Sequence, residues 1–258
     1  MPSISPIPAF RDNYIWALRS GGHAAVVDPG DAAPVLAWLD ANGVRLTAIL
    51  ATHHHADHVG GIPALRERYD VPVFGPAHES IPQRTHALGE GDRIAVPGLD
   101  LLLSVLDIPA HTAGHIAYYT MPPEPLLFCG DTMFAAGCGR LFEGTPEQMW
   151  TSLSKLVALD QNTLVYCGHE YTLANLRFAQ AVEPGNRDIE ARTINERGKR
   201  ERGVPTLPST VGAERATNPF VRADLPHVMA SASSYAKRPI DDPVESLAAL
   251  REWKNGFA

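Results

Sequence analysis

Five ionisable side chains crowd into seven residues at Thr52-His53-His54-His55-Ala56-Asp57-His58, and this stretch constrains the 258-residue chain more than any other. Desolvating so many titratable groups together is costly unless a cation compensates them, so the segment predicts a metal site rather than a polar loop. At this chain's own His and Asp frequencies, His-x-His-x-Asp-His arises by chance on the order of once per thousand such chains. Side chains two apart on extended backbone point the same way, so His53 and His55 can approach one ion together. The turn that follows sends Asp57 and His58 toward a second ion, roughly 3.5–4 Å from the first. Neutral imidazole and carboxylate are donors that Zn²⁺ favours. His54 lies on the opposite side of the extended segment and is expected to support the loop.

Two such sites need further ligands, and the chain supplies them after strand-like runs. His111 follows Leu99–Ile108, Asp131 follows Leu126-Leu127-Phe128-Cys129-Gly130, and His169 follows Leu164–Cys167 and Gly168. Asp131, with two carboxylate oxygens, can bridge the ions. His115 is expected to be structural, close behind the ligands. His23, His78, His86 and His227 stand alone and read as surface or core residues. Cys129, Cys138 and Cys167 are too far apart to suggest a metal pair or a disulfide framework, which fits a reducing cytoplasm.

Short apolar runs at Tyr14–Leu18, Ala24–Val27, Leu46–Ala51, Val71–Phe74, Leu99–Leu106, Ile116–Thr120, Leu126–Cys129 and Leu164–Cys167 predict strands. Helices are expected over Ala32–Ala41, started by Asp31 and closed by Gly43, and over Val59–Tyr69 and Glu147–Leu159. This order predicts an α/β sandwich of two sheets with helices outside. Beyond Gly168 the texture changes. Tyr171–Val182 is helical in pattern and Arg187–Arg202 is densely charged. Proline-spaced segments then lead to a last helix at Val244–Trp253, with no strand signal of comparable strength. Residues 1–169 carry 9 Lys+Arg against 17 Asp+Glu, whereas residues 170–258 carry 13 against 12. A domain boundary is therefore expected near 170, with a helical second domain.

With 45% hydrophobic residues the chain can form a sizeable core, and no run approaches the ~18 apolar residues of a membrane span. Met1–Phe10 lacks a basic segment followed by an apolar one, so no secretory signal is expected. The net charge of -7 and the absence of a long basic block argue against nucleic acid as a partner. Nothing demands more than a monomer.

The His-rich segment, with His111, Asp131 and His169, resembles the signature of the metallo-β-lactamase superfamily. That resemblance implies an αβ/βα sandwich of two mixed sheets, with His53, His55 and His111 on one ion, Asp57, His58 and His169 on a second, and Asp131 bridging them. Within the superfamily the chain is similar to the glyoxalase II (hydroxyacylglutathione hydrolase) family through Asn13-Tyr14, Gly130–Phe134, Gly137–Gly144, Gly168–Thr172, Asn218-Pro219 and Leu250–Asn255. The similarity spans nearly the whole chain, including the C-terminal helical region. It implies a catalytic domain over 1–169 and a substrate-binding domain over 170–258. The reaction implied is hydrolysis of an S-(2-hydroxyacyl)glutathione, such as S-D-lactoylglutathione, by a hydroxide shared between two ions. It would yield glutathione and D-lactate in methylglyoxal detoxification. Asp57, His58 and Asp131 are then the catalytic residues, and Arg140, Phe142, Tyr171, Arg251 and Lys254 bind glutathione. Arg140 stands where that family commonly has Lys, and Phe142 where it commonly has Tyr, so Phe142 offers packing without a hydroxyl. The ligand types accept Zn²⁺, Fe or Mn. Three other readings stay open: a different metallo-hydrolase of the same fold, such as a lactonase or β-lactamase, which would share the ligands; a persulfide dioxygenase, which uses one iron; and a catalytically silent binding protein.

Overall fold

The computed structural model describes residues 2–257, which form two compact units. The first comprises the chain through Asp107 together with Thr112–Gly130; the second comprises Ile108–His111 and the chain from Asp131 onward.

The first unit begins with β1 (Ser3–Ala9), β2 (Asn13–Ser20) and β3 (His23–Val27), followed by α1 (Ala32–Asn42) and β4 (Arg45–Leu50). A short α2 (Ala56–Val59) leads to α3 (Ile62–Arg68), β5 (Val73–Pro76) and β6 (His86–Leu88). These strands make one mixed sheet in the order β1-β2-β3-β4-β5-β6, antiparallel through β3 and parallel beyond it. The remaining strands, β7 (Arg93–Ala95), β8 (Leu102–Asp107), β9 (Ile116–Tyr119) and β10 (Leu126–Gly130), pair antiparallel in sequence. The apolar stripe expected of α1 packs as expected. Val35 and Leu39 are fully buried in a cluster with Ile15, Val26, Leu46 and Ile49. Asp31 caps the helix by accepting from Ala33 N at 2.9 Å, and Gly43 closes it with φ 61.

The second unit opens with a two-strand hairpin, β11 (Met133–Phe134) and β12 (Gly137–Cys138), then α4 (Pro146–Val157) and β13 (Leu164–Cys167). It continues through α5 (Thr172–Val182), α6 (Arg187–Glu201), β14 (Ser209–Thr210), α7 (Val211–Thr217), α8 (Pro226–Ala236) and α9 (Pro243–Gly256). Helix α4 starts in a capping box, with Thr145 accepting from Gln148 N and the Gln148 side chain answering Thr145 N.

Several expectations need correction. The helix expected over Val59–Tyr69 is two pieces, because Gly61 N donates to Pro29 O at 2.9 Å instead of continuing the ladder. Strand β8 begins at Leu102, since Leu99–Leu101 forms a turn against Val96. The charged Arg187–Arg202 stretch is helical, nucleated by the Asn186 side chain accepting from Asp188 N and Ile189 N. The proline-spaced region holds α7 and α8, with Pro226 at the first turn of α8, where a missing N–H costs nothing. One short strand does occur after Gly168: Ser209–Thr210 pairs with Leu164–Val165 of β13. Strand β1 had no period-2 signal because Pro6 and Pro8 interrupt it, and it is tolerated at the sheet edge.

The Asp31 cap offers a direct check. Asp31→Ala should cost about 1 kcal/mol of stability, read as a lower urea midpoint with an unchanged slope.

Candidate metal centre

In the first unit, Asp28 directs the geometry. It follows β3 in a left-handed conformation (φ 53), tolerable for Asp, and is buried. Its Oδ1 accepts from Thr52 N at 2.7 Å, and its Oδ2 accepts from Thr52 Oγ1 at 2.7 Å and faces His58 Nδ1 at 3.2 Å. Because a carboxylate only accepts, the Thr52 hydroxyl proton goes to Asp28. Thr52 Oγ1 must then accept from His53 Nδ1, 3.0 Å away. The same logic places a proton on His58 Nδ1. Both imidazoles therefore present the lone pair of Nε2, the form that binds a cation.

The presented atoms converge. His53 Nε2 lies 3.2 Å from His55 Nδ1, and His58 Nε2 lies 3.6 Å from Asp57 Oδ2. Tetrahedral ligands at 2.0–2.2 Å from an ion sit roughly 3.3–3.6 Å from one another, so these separations fit ligand pairs. Asn13 Nδ2 donates to Asp57 Oδ2 at 2.9 Å and holds that carboxylate in place. His115, buried, stacks on His53 with centroids 4.5 Å apart. Tyr118 OH donates to Ala51 O at 2.9 Å, at the end of β4. Its burial raises its pKa well above the usual phenol value and nearby Asp28 raises it further, so it stays a neutral donor.

In the second unit, His111, Asp131 and His169 come together. Asp131 Oδ2 is 3.5 Å from His111 Nε2 and 3.2 Å from His169 Nε2. His111 Nδ1 donates to the Arg140 carbonyl at 2.9 Å, so Nε2 again carries the lone pair. Two acceptors face one another there, an arrangement suited to a cation. The donor set therefore fits divalent metal. The hairpin after Asp131 is gripped at its turn, where Ala136 has φ 55. Asn218 Nδ2 donates to Phe134 O and Gly137 O, Asn175 Nδ2 to Ala135 O, and Ala136 N to fully buried Glu214, which Arg192 pairs at 2.8 Å.

The expected substrate residues also lie in this unit. Tyr171 stacks on His169 at 4.7 Å, and exposed Phe142 sets its ring against His111 at 5.3 Å. Arg140 is exposed. Arg251 is buried rather than on a solvated helix face. Its guanidinium donates to Cys138 O at 2.8 Å and lies over the Phe220 ring. Lys254 donates to Ala174 O at 3.1 Å and rests against Phe178 and Phe257. Burial, with Arg251 and Arg177 nearby, lowers the Lys254 pKa to about 8. Among the described residues neither tail cation has a carboxylate within ion-pair distance.

Sequence reasoning missed Asp28, Asn13 as a holder of Asp57, and the Glu214–Arg192–Asn175 network. Asp28 carried one signal, an acidic residue closing an apolar strand, and Asn13 stood only within a family motif with no role attached; Glu214, Arg192 and Asn175 had no signal, being single polar residues brought in from distant segments. The cysteines are buried and form no disulfide, and burial pushes the Cys167 thiol up to about 12.

Comparison with known proteins adds a second line. Residues 9–169 match the family model described as the metallo-beta-lactamase superfamily, and residues 170–257 match that of the hydroxyacylglutathione hydrolase C-terminus. A hydroxyacylglutathione hydrolase of Alkalilimnicola ehrlichii is 56% identical over 99% of both chains. One from Nitrosomonas eutropha is 52% identical over 100% of both. The chain belongs to the hydroxyacylglutathione hydrolase family. It has the αβ/βα fold of the metallo-β-lactamase superfamily with a C-terminal helical region. The crystal structure of TTHA1623 in a di-iron-bound form is 26% identical, with a TM-score of 0.56, covering 85% of this chain and 99% of that one. The His/Asp groups described above are of a kind suited to holding a metal ion.

Gly139 gives a test of the second cluster. A Cβ there would lie 2.0 Å from Asp131 O and 2.9 Å from His111 Nδ1, displacing both residues. Gly139→Ala should retain roughly tenfold less metal or worse after dialysis against buffer, measured by elemental analysis.

Proposed function

We propose that this chain hydrolyses S-(2-hydroxyacyl)glutathione thioesters, S-D-lactoylglutathione in particular, to glutathione and the 2-hydroxy acid. The observation that carries the reading is the commitment of the Nδ1 protons of His53, His58 and His111 to outer acceptors. With it goes full-length similarity to hydroxyacylglutathione hydrolases. His53, His55 and His111 would hold one divalent ion, Asp57, His58 and His169 a second, and Asp131 would serve both. When bound there, divalent metal supplies Lewis acidity and a water whose pKa falls to near neutrality. Zn²⁺ is the proposed metal; iron and manganese suit the same donors.

The chain's own residues do the rest. Asp28 and Thr52 keep protons off the nitrogens that face the ions, and Asn13 keeps Asp57 aimed. Asp57, His58 and Asp131 are the proposed catalytic residues, lying where the nucleophile would be generated. The departing thiolate has a conjugate-acid pKa of about 8.5 and leaves without a dedicated proton donor. No acyl-enzyme nucleophile is required.

Residues 170–258 are proposed as the substrate-binding domain over a catalytic 1–169. Glutathione carries two carboxylates, and Arg140, Arg251 and Lys254 supply cations whose charge no described carboxylate neutralises. Tyr171 and Phe142 would flank the tripeptide. The lowered Lys254 pKa fits a site that awaits an anion, since a bound carboxylate would restore the charged form. We further propose a monomer in the cytoplasm, consistent with three cysteines outside any disulfide. No helix of the described residues is long and apolar enough to cross a membrane.

Two measurements test this reading. His55→Ala or Asp131→Ala should abolish metal loading and loss of the thioester absorbance of S-D-lactoylglutathione; full turnover by either variant would refute the site. The second concerns Lys254, which is charged below its pKa and neutral above it. kcat/KM should therefore fall as pH rises through about 8, and Lys254→Arg should remove that fall. Lys254→Ala should raise KM with a smaller change in kcat.

A further inference from the structure

Glu79 lies outside every ligand set above, in the loop after β5, yet its side chain is only 2% exposed. Its Oε1 accepts from the buried Thr112 hydroxyl and from Gly114 N at 3.0 Å, and its Oε2 faces His54 Nδ1 at 3.0 Å. The loop is itself anchored. Arg84 donates to Glu79 O at 2.7 Å, Ile81 N donates to the same oxygen, and Glu79 N donates to Pro76 O. The Thr112–Gly114 turn lies so close that a Cβ on Gly114 would fall 2.7 Å from Glu79 Cγ and 3.1 Å from the His78 carbonyl carbon. One carboxylate thus ties two chain segments 58 residues apart. Thr112 directly follows the proposed ligand His111, and His54 sits between the proposed ligands His53 and His55.

A buried carboxylate is a costly way to fill space, and apolar packing would serve stability as well or better. What it supplies is directed acceptors that place both segments at once. We propose that Glu79 is a positioning residue that clamps the His53–His55 loop to the turn after His111, so that three imidazoles are placed for one divalent ion. The inference rests on the metal reading above and concerns how that ion is held.

The test uses the full chain stripped of metal and titrated with Zn²⁺ against a chromophoric chelator, with the thermal midpoint of each metal-free protein recorded alongside. Glu79→Ala removes every acceptor and should weaken binding of one ion by about 10–100-fold, leaving the other closer to wild type. Glu79→Gln keeps an acceptor oxygen for Thr112 and Gly114 and should bind zinc nearly as wild type does. Thr112→Val deletes one arm of the clamp and should show a smaller loss at an unchanged metal-free midpoint. In loaded enzyme Thr112→Val should lower kcat while KM for the thioester holds, because the glutathione residues are elsewhere. Wild-type zinc affinity in Glu79→Ala, or Glu79→Gln as weak as Glu79→Ala, would overturn the clamp. Should Glu79→Ala fail to fold, wild-type affinity in Thr112→Val overturns it alone. A wild-type chain that binds zinc yet leaves the thioester intact would refute the reaction but not the clamp; one that binds no zinc refutes both.

Discussion

An imidazole holds a cation only through a nitrogen that carries no proton, and the arrangement of this chain serves that requirement. Asp28 accepts a hydrogen bond from the Thr52 hydroxyl, Thr52 Oγ1 then accepts one from His53 Nδ1, and Asp28 also faces His58 Nδ1. A backbone carbonyl does the same for His111. Carboxylate and carbonyl oxygens cannot donate, so each arrangement has one proton placement. The bonds among Asp28, Thr52, His53 and His58 are buried, where an unmade one would be expensive, and so they hold those tautomers against fluctuation.

The scaffold follows from the need to hold such groups still. Parallel strands β3, β4 and β5 end beside one another, so residues just past their ends, Asp28 and Thr52 among them, are carried on rigid backbone. In the second unit a two-strand hairpin follows Asp131, too short to be stable alone. Asn175 from α5, with Glu214 and Asn218 from α7 and its C-terminal cap, satisfy its turn from two separate helical segments. The helical region therefore has a structural part in the site as well as its proposed part in gripping glutathione. Arg251 takes the structural part, its guanidinium donating to Cys138 O just past the hairpin turn.

Much of the fold was legible where local chemistry and burial agree. Asp31, the Val35/Leu39 stripe and Gly43 mark α1 at both ends and on one face, and the strand runs that line the cores were recognisable as apolar blocks. The failures have a common physical origin. Strand β1 is interrupted by prolines that only an edge position allows. Helices α6 and α7 start at side-chain caps, Asn186 and Thr210, and are joined by the buried Arg192–Glu214 pair, features that leave little trace in an apolar pattern. Val59–Tyr69 splits because Gly61 answers a carbonyl from another loop.

The His-rich segment, taken by itself, determined that this chain carries a set of side chains suited to a metal ion, because the residue types and the two-residue spacing bring that chemistry whatever surrounds them. The family resemblance, carried by short motifs along nearly the whole chain, pointed to the same hydrolase family as the comparisons. Tertiary structure alone decided which nitrogen of each imidazole faces inward, that Arg251 is buried, and that Asp28 and Glu79 matter. Those properties depend on partners tens of residues away, and no local pattern encodes which distant oxygen a proton will meet.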